Sequence, residues 1–170
     1  MTAAEIILAA VTLQRLAELF WARRNTARLL SRGAQEIGAG HYPLIVAVHA
    51  AWLIALWIFG HAQPLNMLAL ACYLLLQLLR GWVMATLGAR WTTRILVLPG
   101  EVLVTRGPYR YLSHPNYAVV TGEIALLPLA LNLPWLALIF SVLNAAVITL
   151  RIRVENRALA AVAGRAASST

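Results

Sequence analysis

The chain is 170 residues long, 61% hydrophobic and 12% charged, with a mean hydropathy of +0.74. A soluble domain must cover its core with polar surface, and this composition excludes one. The ionised residues are one-sided: fourteen arginines, no lysine, six glutamates and no aspartate give a formal charge of +8, and the placement of that charge decides between nucleic acid and membrane as its partner.

The first apolar run predicts a helix from about Ala3 to Ala22. It lacks a basic region before it, so it reads as a retained helix rather than a cleaved signal peptide. A second helix is expected over Pro43 to Gly60 and a third over Pro64 to Gly88, with His61, Ala62 and Gln63 leaving almost no loop between them. Residues Trp91 to Ser113 are polar, carry Pro99, Gly100, Gly107 and Pro108, and alternate from Glu101 to Thr105; they predict a cytoplasmic connector with little regular structure. A fourth helix is expected from Pro115 to Asn132, and a turn at Leu133 and Pro134 leads into a fifth that runs to about Arg153.

Twelve of the arginines lie in three clusters, Arg23 to Arg32, Arg90 to Arg110 and Arg151 to Arg165, each flanking an apolar run. Short loops rich in arginine stay in the cytoplasm, so this pattern is a topology signal and points away from nucleic acid. Placing all three clusters inside puts the N-terminus outside and the C-terminus inside, with about five transmembrane helices, the last two forming a hairpin. The expected fold class is therefore an all-α integral membrane protein. The chain reads as one membrane domain over residues 1–170, with three helices in 1–90, the connector in 91–113 and the C-terminal hairpin in 114–160.

Arg15, Glu18, Arg80 and Glu123 fall inside predicted helices, where a charge costs about 2.5 to 3.5 kcal/mol on insertion scales. Arg15 and Glu18 are three apart on one helical face, and Arg80 and Glu123 can meet across an interface. That pairing explains all four; a substrate-channel role for Arg80 and Glu123 is the alternative. Cys72 is the lone cysteine, and His41 and His49, eight residues apart, do not form a metal set. No metal is expected. The final Ser-Ser-Thr is not a prenylation signal.

The densest polar and aromatic run is Arg106-Gly107-Pro108-Tyr109-Arg110-Tyr111-Leu112-Ser113-His114-Pro115-Asn116-Tyr117. By physics alone it reads first as an interfacial aromatic belt followed by an ordinary helix start, with Ser113 or His114 capping and Pro115 at the first position. However, Gly107-Pro108-Tyr109, His114-Pro115-Asn116-Tyr117 and the terminal Arg151 to Glu155 spacing, set around two apolar helices, resemble the isoprenylcysteine carboxyl methyltransferase family over roughly residues 95 to 160. In the N-terminal half, Gln14-Arg15-Leu16, Glu18-Leu19, Arg24-Asn25, Arg32-Gly33-Ala34 and Gly40-His41-Tyr42-Pro43 resemble a bacterial branch of that family, methyltransferases associated with type III polyketide synthases that O-methylate long-chain alkylpyrones. Two departures stand out. Ser113 precedes the His-Pro motif where the family often has Arg or Lys, and Asn156 follows Glu155 where a second Glu is usual.

The resemblance implies an S-adenosylmethionine-dependent O-methyltransferase in the bacterial cytoplasmic membrane. Its acceptor would be a lipophilic alkylpyrone or alkylresorcinol drawn from membrane lipid, with a functional link to a type III polyketide synthase. Gly107, Tyr109, His114, Pro115, Tyr117, Arg151 and Glu155 would bind the cofactor. His114 and Glu123 are the candidate bases for a weakly acidic acceptor, and Arg80 is the third candidate catalytic residue. A prenylcysteine carboxyl methyltransferase, a lipid- or partner-binding bundle without catalysis, and a membrane reductase are the other readings.

Overall fold

The computed structural model describes residues 1–100 and 104–168, with the side chains of Asn156 and of residues 158–168 left out. Glu101 to Leu103, within the expected alternating stretch, and the Arg165 side chain therefore lie outside the described residues. Among the described residues there are five α-helices: α1 Ala3–Ser31, α2 Tyr42–Gly60, α3 Met67–Leu87, α4 Pro115–Ala130 and α5 Pro134–Ser168. The chain is a mostly helical membrane protein. Among the described residues three helical stretches, Ala39–Gly60, Met67–Arg90 and Pro134–Glu155, are long and apolar enough to cross a bilayer, against the five crossings expected. Large apolar side chains such as Leu13, Phe20, Ile54, Leu75, Leu78 and Leu138 are exposed around the bundle, as a lipid-facing surface requires.

α1 runs nine residues past the expected end. Apolar content stops near Ala22, but no Gly or Pro interrupts the helix before Gly33, whose φ of +89° ends it with Gly33 N–H donating to Leu30 and Ala34 N–H to Leu29. At about 1.5 Å per residue a helix of this length exceeds the hydrocarbon thickness, so the turns bearing Arg23, Arg24 and Arg28 can project beyond it. α5 outlasts its apolar section in the same way. α4, by contrast, is only 16 residues long.

The connector is more ordered than composition predicts. Ile95–Val97 (β2) pairs antiparallel with Gln35–Ile37 (β1), in the register Gln35 to Val97, Glu36 to Leu96 and Ile37 to Ile95. Two three-residue strands carry too little periodicity to be read from sequence; they form because their partners are held close by the helices. Arg94 clamps the sheet, one terminal nitrogen donating to both Glu36 carboxylate oxygens at 2.7 and 2.8 Å, while its guanidinium lies 4.5 Å from the centre of the Tyr42 ring. Gly38 is required beneath the sheet, because at its φ of +67° a Cβ would sit 2.7 Å from Val154 on α5.

Antiparallel alternation brings the C-terminal ends of α1 and α3, the N-terminal ends of α2 and α4, and residues 151–155 of α5 to one end of the bundle. Asn25, buried on α1, ties that end together by donating to the carbonyls of Trp91 at 2.8 Å and Gly88 at 3.2 Å. At the opposite end Thr2 donates to the His61 carbonyl at 2.6 Å and Asn132 to the Pro64 carbonyl at 2.8 Å. The core between them is apolar, centred on Leu8, Leu56, Ile124, Leu127, Leu131 and Leu136.

Midway along the bundle the charged residues form one buried network. Arg80 donates through Nε to Glu18 at 2.6 Å, through a terminal nitrogen to the same carboxylate at 2.5 Å, and through the other to Glu123 at 2.9 Å. Arg15 reaches Glu123 at 2.8 Å and Glu18 at 3.1 Å. Gln77 donates to the second Glu123 oxygen at 2.8 Å, and Gln14 donates to Glu18 and Gln77. Both expected pairings are present, joined into a net-neutral set that links α1, α3 and α4. The sequence marks Gln14 only as part of a family motif and does not mark Gln77, although a polar residue in an apolar run is the signal for both.

Candidate active site

Pro115 starts α4, with the His114 carbonyl accepting from the Tyr117 N–H at 3.1 Å. That turn points Tyr117 at α5, where Arg151 and Glu155 stand one helical turn apart. Arg151 Nε donates to the Tyr117 hydroxyl at 2.8 Å, and the hydroxyl in turn donates to Glu155 Oε2. The guanidinium also sits 5.5 Å from the Tyr117 ring centre. The His114 ring stacks on Tyr117 at 5.2 Å between centroids, and its Nδ1 is 4.0 Å from Glu155 Oε2. Arg151 is buried, whereas the side chains of His114 and Glu155 are 23% and 26% exposed, so a ligand can reach them.

Tyr109 lies in the short turn Gly107–Arg110 and packs against Ala22, Val83 and Trp91. Burial, and secondly the negative charge of Glu155, push its phenol up to about 12. The folded state thus favours the neutral phenol: this contribution to stability is complete below about pH 10 and is lost as pH rises through about 12. In an absorbance titration Tyr109→Phe is expected to remove one tyrosine equivalent from the late part of the curve, and Glu155→Gln to bring that equivalent to lower pH.

Gly107 shapes the turn rather than touching the cluster. Its φ is +61°, and a Cβ there would meet Thr86 Oγ1 at 2.5 Å. Gly107→Ala combines left-handed strain with that clash, and is expected to cost about 1 to 3 kcal/mol. Detergent melting curves for this variant, compared with Gly81→Ala where the space is open, measure it.

A cavity of about 300 Å³ begins at Tyr117 and Arg151 and reaches Arg15, Arg80 and Glu123. Glu123 is six residues beyond Tyr117 on α4, about 9 Å along the axis. Tyr42, Thr92 and Thr93 line the end beneath the small sheet, with the Tyr42 hydroxyl 3.0 Å from Thr93 Oγ1. Most of the lining is apolar. Leu16 on α1 and Val46 on α2 line it and are also exposed on the bundle surface, 58% and 44%, so the cavity opens between these helices where lipid would lie.

The structure therefore brings His114, Pro115, Tyr117, Arg151 and Glu155 together, with Tyr109 within electrostatic reach. Arg80 and Glu123 line the far part of the cavity, inside the charged network. Asn116 and His49 also line the cavity, and the sequence had marked neither as functional: Asn116 is the variable position of a motif, and His49 reads as an ordinary helix histidine. The Asn116 Oδ1 is buried with no partner among the described residues. Arg151 and Glu155, four apart, could have formed a plain helical pair, but the Tyr117 hydroxyl stands between them.

Residues 67–161 match the isoprenylcysteine carboxyl methyltransferase (ICMT) family. Uncharacterized protein YpbQ of Bacillus subtilis (strain 168) is 41% identical over 159 residues, covering 91% of this chain and 95% of that protein. An uncharacterized protein of Haemophilus influenzae is 25% identical over 142 residues, covering 80% of this chain and 83% of its own length.

Proposed function

Since the chain belongs to the isoprenylcysteine carboxyl methyltransferase family, we propose that it is an S-adenosylmethionine-dependent O-methyltransferase of the bacterial cytoplasmic membrane, acting on a long-chain alkylpyrone or alkylresorcinol. The observation that carries the reading is a half-open cluster of cation, carboxylate and stacked rings leading directly into an apolar cavity open to lipid. A water-soluble donor and a membrane-borne acceptor need that junction. The Arg-rich end of the bundle is taken as cytoplasmic, where the cofactor is made.

The residues fit the cofactor by their chemistry. Glu155 offers a carboxylate to an ammonium group, Arg151 and His114 stand beside it for a carboxylate, and the Tyr117 and His114 rings give a face to a heterocycle or a sulfonium. S-adenosylmethionine supplies a methyl group on positive sulfur, which an acceptor oxygen takes by in-line displacement. The protein's part is alignment: Pro115 fixes the first turn of α4, Arg151 and Glu155 fix the Tyr117 hydroxyl, and the apolar walls keep water from the transfer. Arg80 and Glu123 act at a distance in this reading, holding α1, α3 and α4 at the spacing that shapes the cavity.

The substrate class rests on the resemblance of the N-terminal motifs to methyltransferases of alkylpyrones, and a type III polyketide synthase would supply such an acceptor. The test incubates purified protein and S-adenosylmethionine with a 6-alkyl-4-hydroxy-2-pyrone, an alkylresorcinol and a farnesylated cysteine, and follows methylated product by mass spectrometry. Turnover of either polyketide is the expected result. Turnover of farnesylcysteine alone would move the substrate to prenylcysteine, and turnover of none, with no cofactor binding, would remove the enzyme reading.

A further inference from the structure

His49 stands on α2, seven residues beyond Tyr42, and lines the same cavity as Tyr117 and Glu123. Its Nδ1 is 2.8 Å from the Ile45 carbonyl one turn back. A carbonyl oxygen only accepts, so the ring proton resides on Nδ1 and Nε2 keeps a bare lone pair. Among the described hydrogen bonds none engages Nε2.

The carboxylates that line the cavity have both oxygens engaged, and Glu155, with one oxygen engaged, lies outside the lining. Both Glu123 oxygens accept hydrogen bonds, from Gln77 and from Arg15 and Arg80. Both Glu18 oxygens accept from Arg80, and Glu155 accepts from Tyr117. His114 stacks on Tyr117 and is outside the cavity lining.

We infer that His49 is the general base for a hydroxyl acceptor bound in this cavity, an inference that rests on the methyltransferase reading. The acceptor O–H breaks and its proton forms an N–H at Nε2. The oxygen's electron pair makes the bond to the transferred methyl, and the pair of the broken C–S bond stays on sulfur, leaving a neutral thioether and an imidazolium. Arg15 and Glu18 on α1, Tyr42 on α2, Arg80 on α3, Glu123 and Tyr117 on α4 and Arg151 on α5 are the charged and titratable groups facing the cavity with His49. The four network charges cancel among themselves, and the remaining fixed charge on the cavity wall is that of Arg151, at the Tyr117 end. The Ile45 carbonyl, accepting from Nδ1, holds the ring in the tautomer that base catalysis requires.

A base matters for a weakly acidic phenol and little for an acidic enol that is already ionised. The cavity with His49 is thus suited to the alkyl-phenol class, and positioned general bases commonly contribute about 10² to 10⁴ in rate.

The test uses 4-dodecyl-2-nitrophenol, whose phenol and phenolate absorb at different wavelengths, with the full-length protein in detergent at a pH where free dye is mostly neutral. The wild type is expected to bind it as phenolate, while His49→Gln binds it with similar affinity as neutral phenol. In the wild type alone, the nitrogen-15 resonance of one histidine Nε2 should change from unprotonated to protonated on dye binding. A phenolate band of equal size in both proteins, neutral dye on the wild type, or no dye binding by the folded wild type would each overturn the assignment. S-adenosylmethionine binding, followed separately by calorimetry and expected to be the same in both proteins, judges the methyltransferase reading independently of the dye.

Discussion

Glu155→Gln is expected to weaken S-adenosylmethionine binding about ten- to a hundredfold. A hydrogen bond to a charged group contributes about 1.5 to 3 kcal/mol, and each 1.4 kcal/mol is a factor of ten. The amide keeps the size of the side chain and can still accept from the Tyr117 hydroxyl, so the fold should hold while the ammonium loses its counter-charge. Arg153→Gln serves as a control: it lies two residues away on the same helix, and its side chain is exposed. Tyr117→Phe tests the geometry rather than the charge. Without the hydroxyl, Arg151 and Glu155 are free to pair directly across one turn, which competes with the ligand and removes the fixed placement of both. Calorimetry on the three purified variants would return equal affinities if the cluster were only a structural brace, and that result would remove the site.

Arg80→Met is expected to destabilise the protein by about 3 to 5 kcal/mol, the range for removing one partner of a buried ion pair. Arg80 is 6% exposed and Glu123 1%, so the carboxylates it leaves behind have no water to turn to. The net-neutral network would become net negative in the middle of the bundle. Arg80→Met combined with Glu18→Gln restores neutrality, leaving Arg15 with Glu123, and should recover more than half of the loss. Arg80→Lys should fall between, because an ammonium cannot reproduce the fork that grips both Glu18 oxygens. Melting of the helical circular dichroism signal in detergent measures all three. An unchanged melting temperature for Arg80→Met, or a double variant no better than the single one, would mean that the network is not holding the helices together. The same series separates framework from chemistry: a network that only shapes the cavity leaves cofactor affinity in the double variant close to that of the wild type.

The sequence alone determined the membrane as solvent, because a chain so apolar has too little polar surface to face water all round. It also gave five helical segments, of which three are long and apolar enough to span, because hydropathy is a property of residues and survives without coordinates. Helix ends were legible only where Pro or Gly punctuates them, as at Pro115 and Pro134. At Ser31 the apolar edge and the backbone end of α1 differ, because a helix stops for a backbone reason rather than at the edge of the hydrocarbon. The residues of the candidate site were legible through the Gly107-Pro108-Tyr109 and His114-Pro115-Asn116-Tyr117 motifs, yet spacing could not tell a helical Arg151 to Glu155 pair from a site.

Only the tertiary structure decided that the Tyr117 hydroxyl sits between those two, since the contact joins residues 34 and 38 positions apart. It likewise merged Arg15, Glu18, Arg80 and Glu123 into one network, paired two strands too short to carry a pattern, and placed His49 on the wall of the same cavity as Tyr117 and Glu123. Each of these depends on which faces of separate helices meet. A charge buried in a membrane says that it must have a partner, but the identity of that partner is fixed by packing.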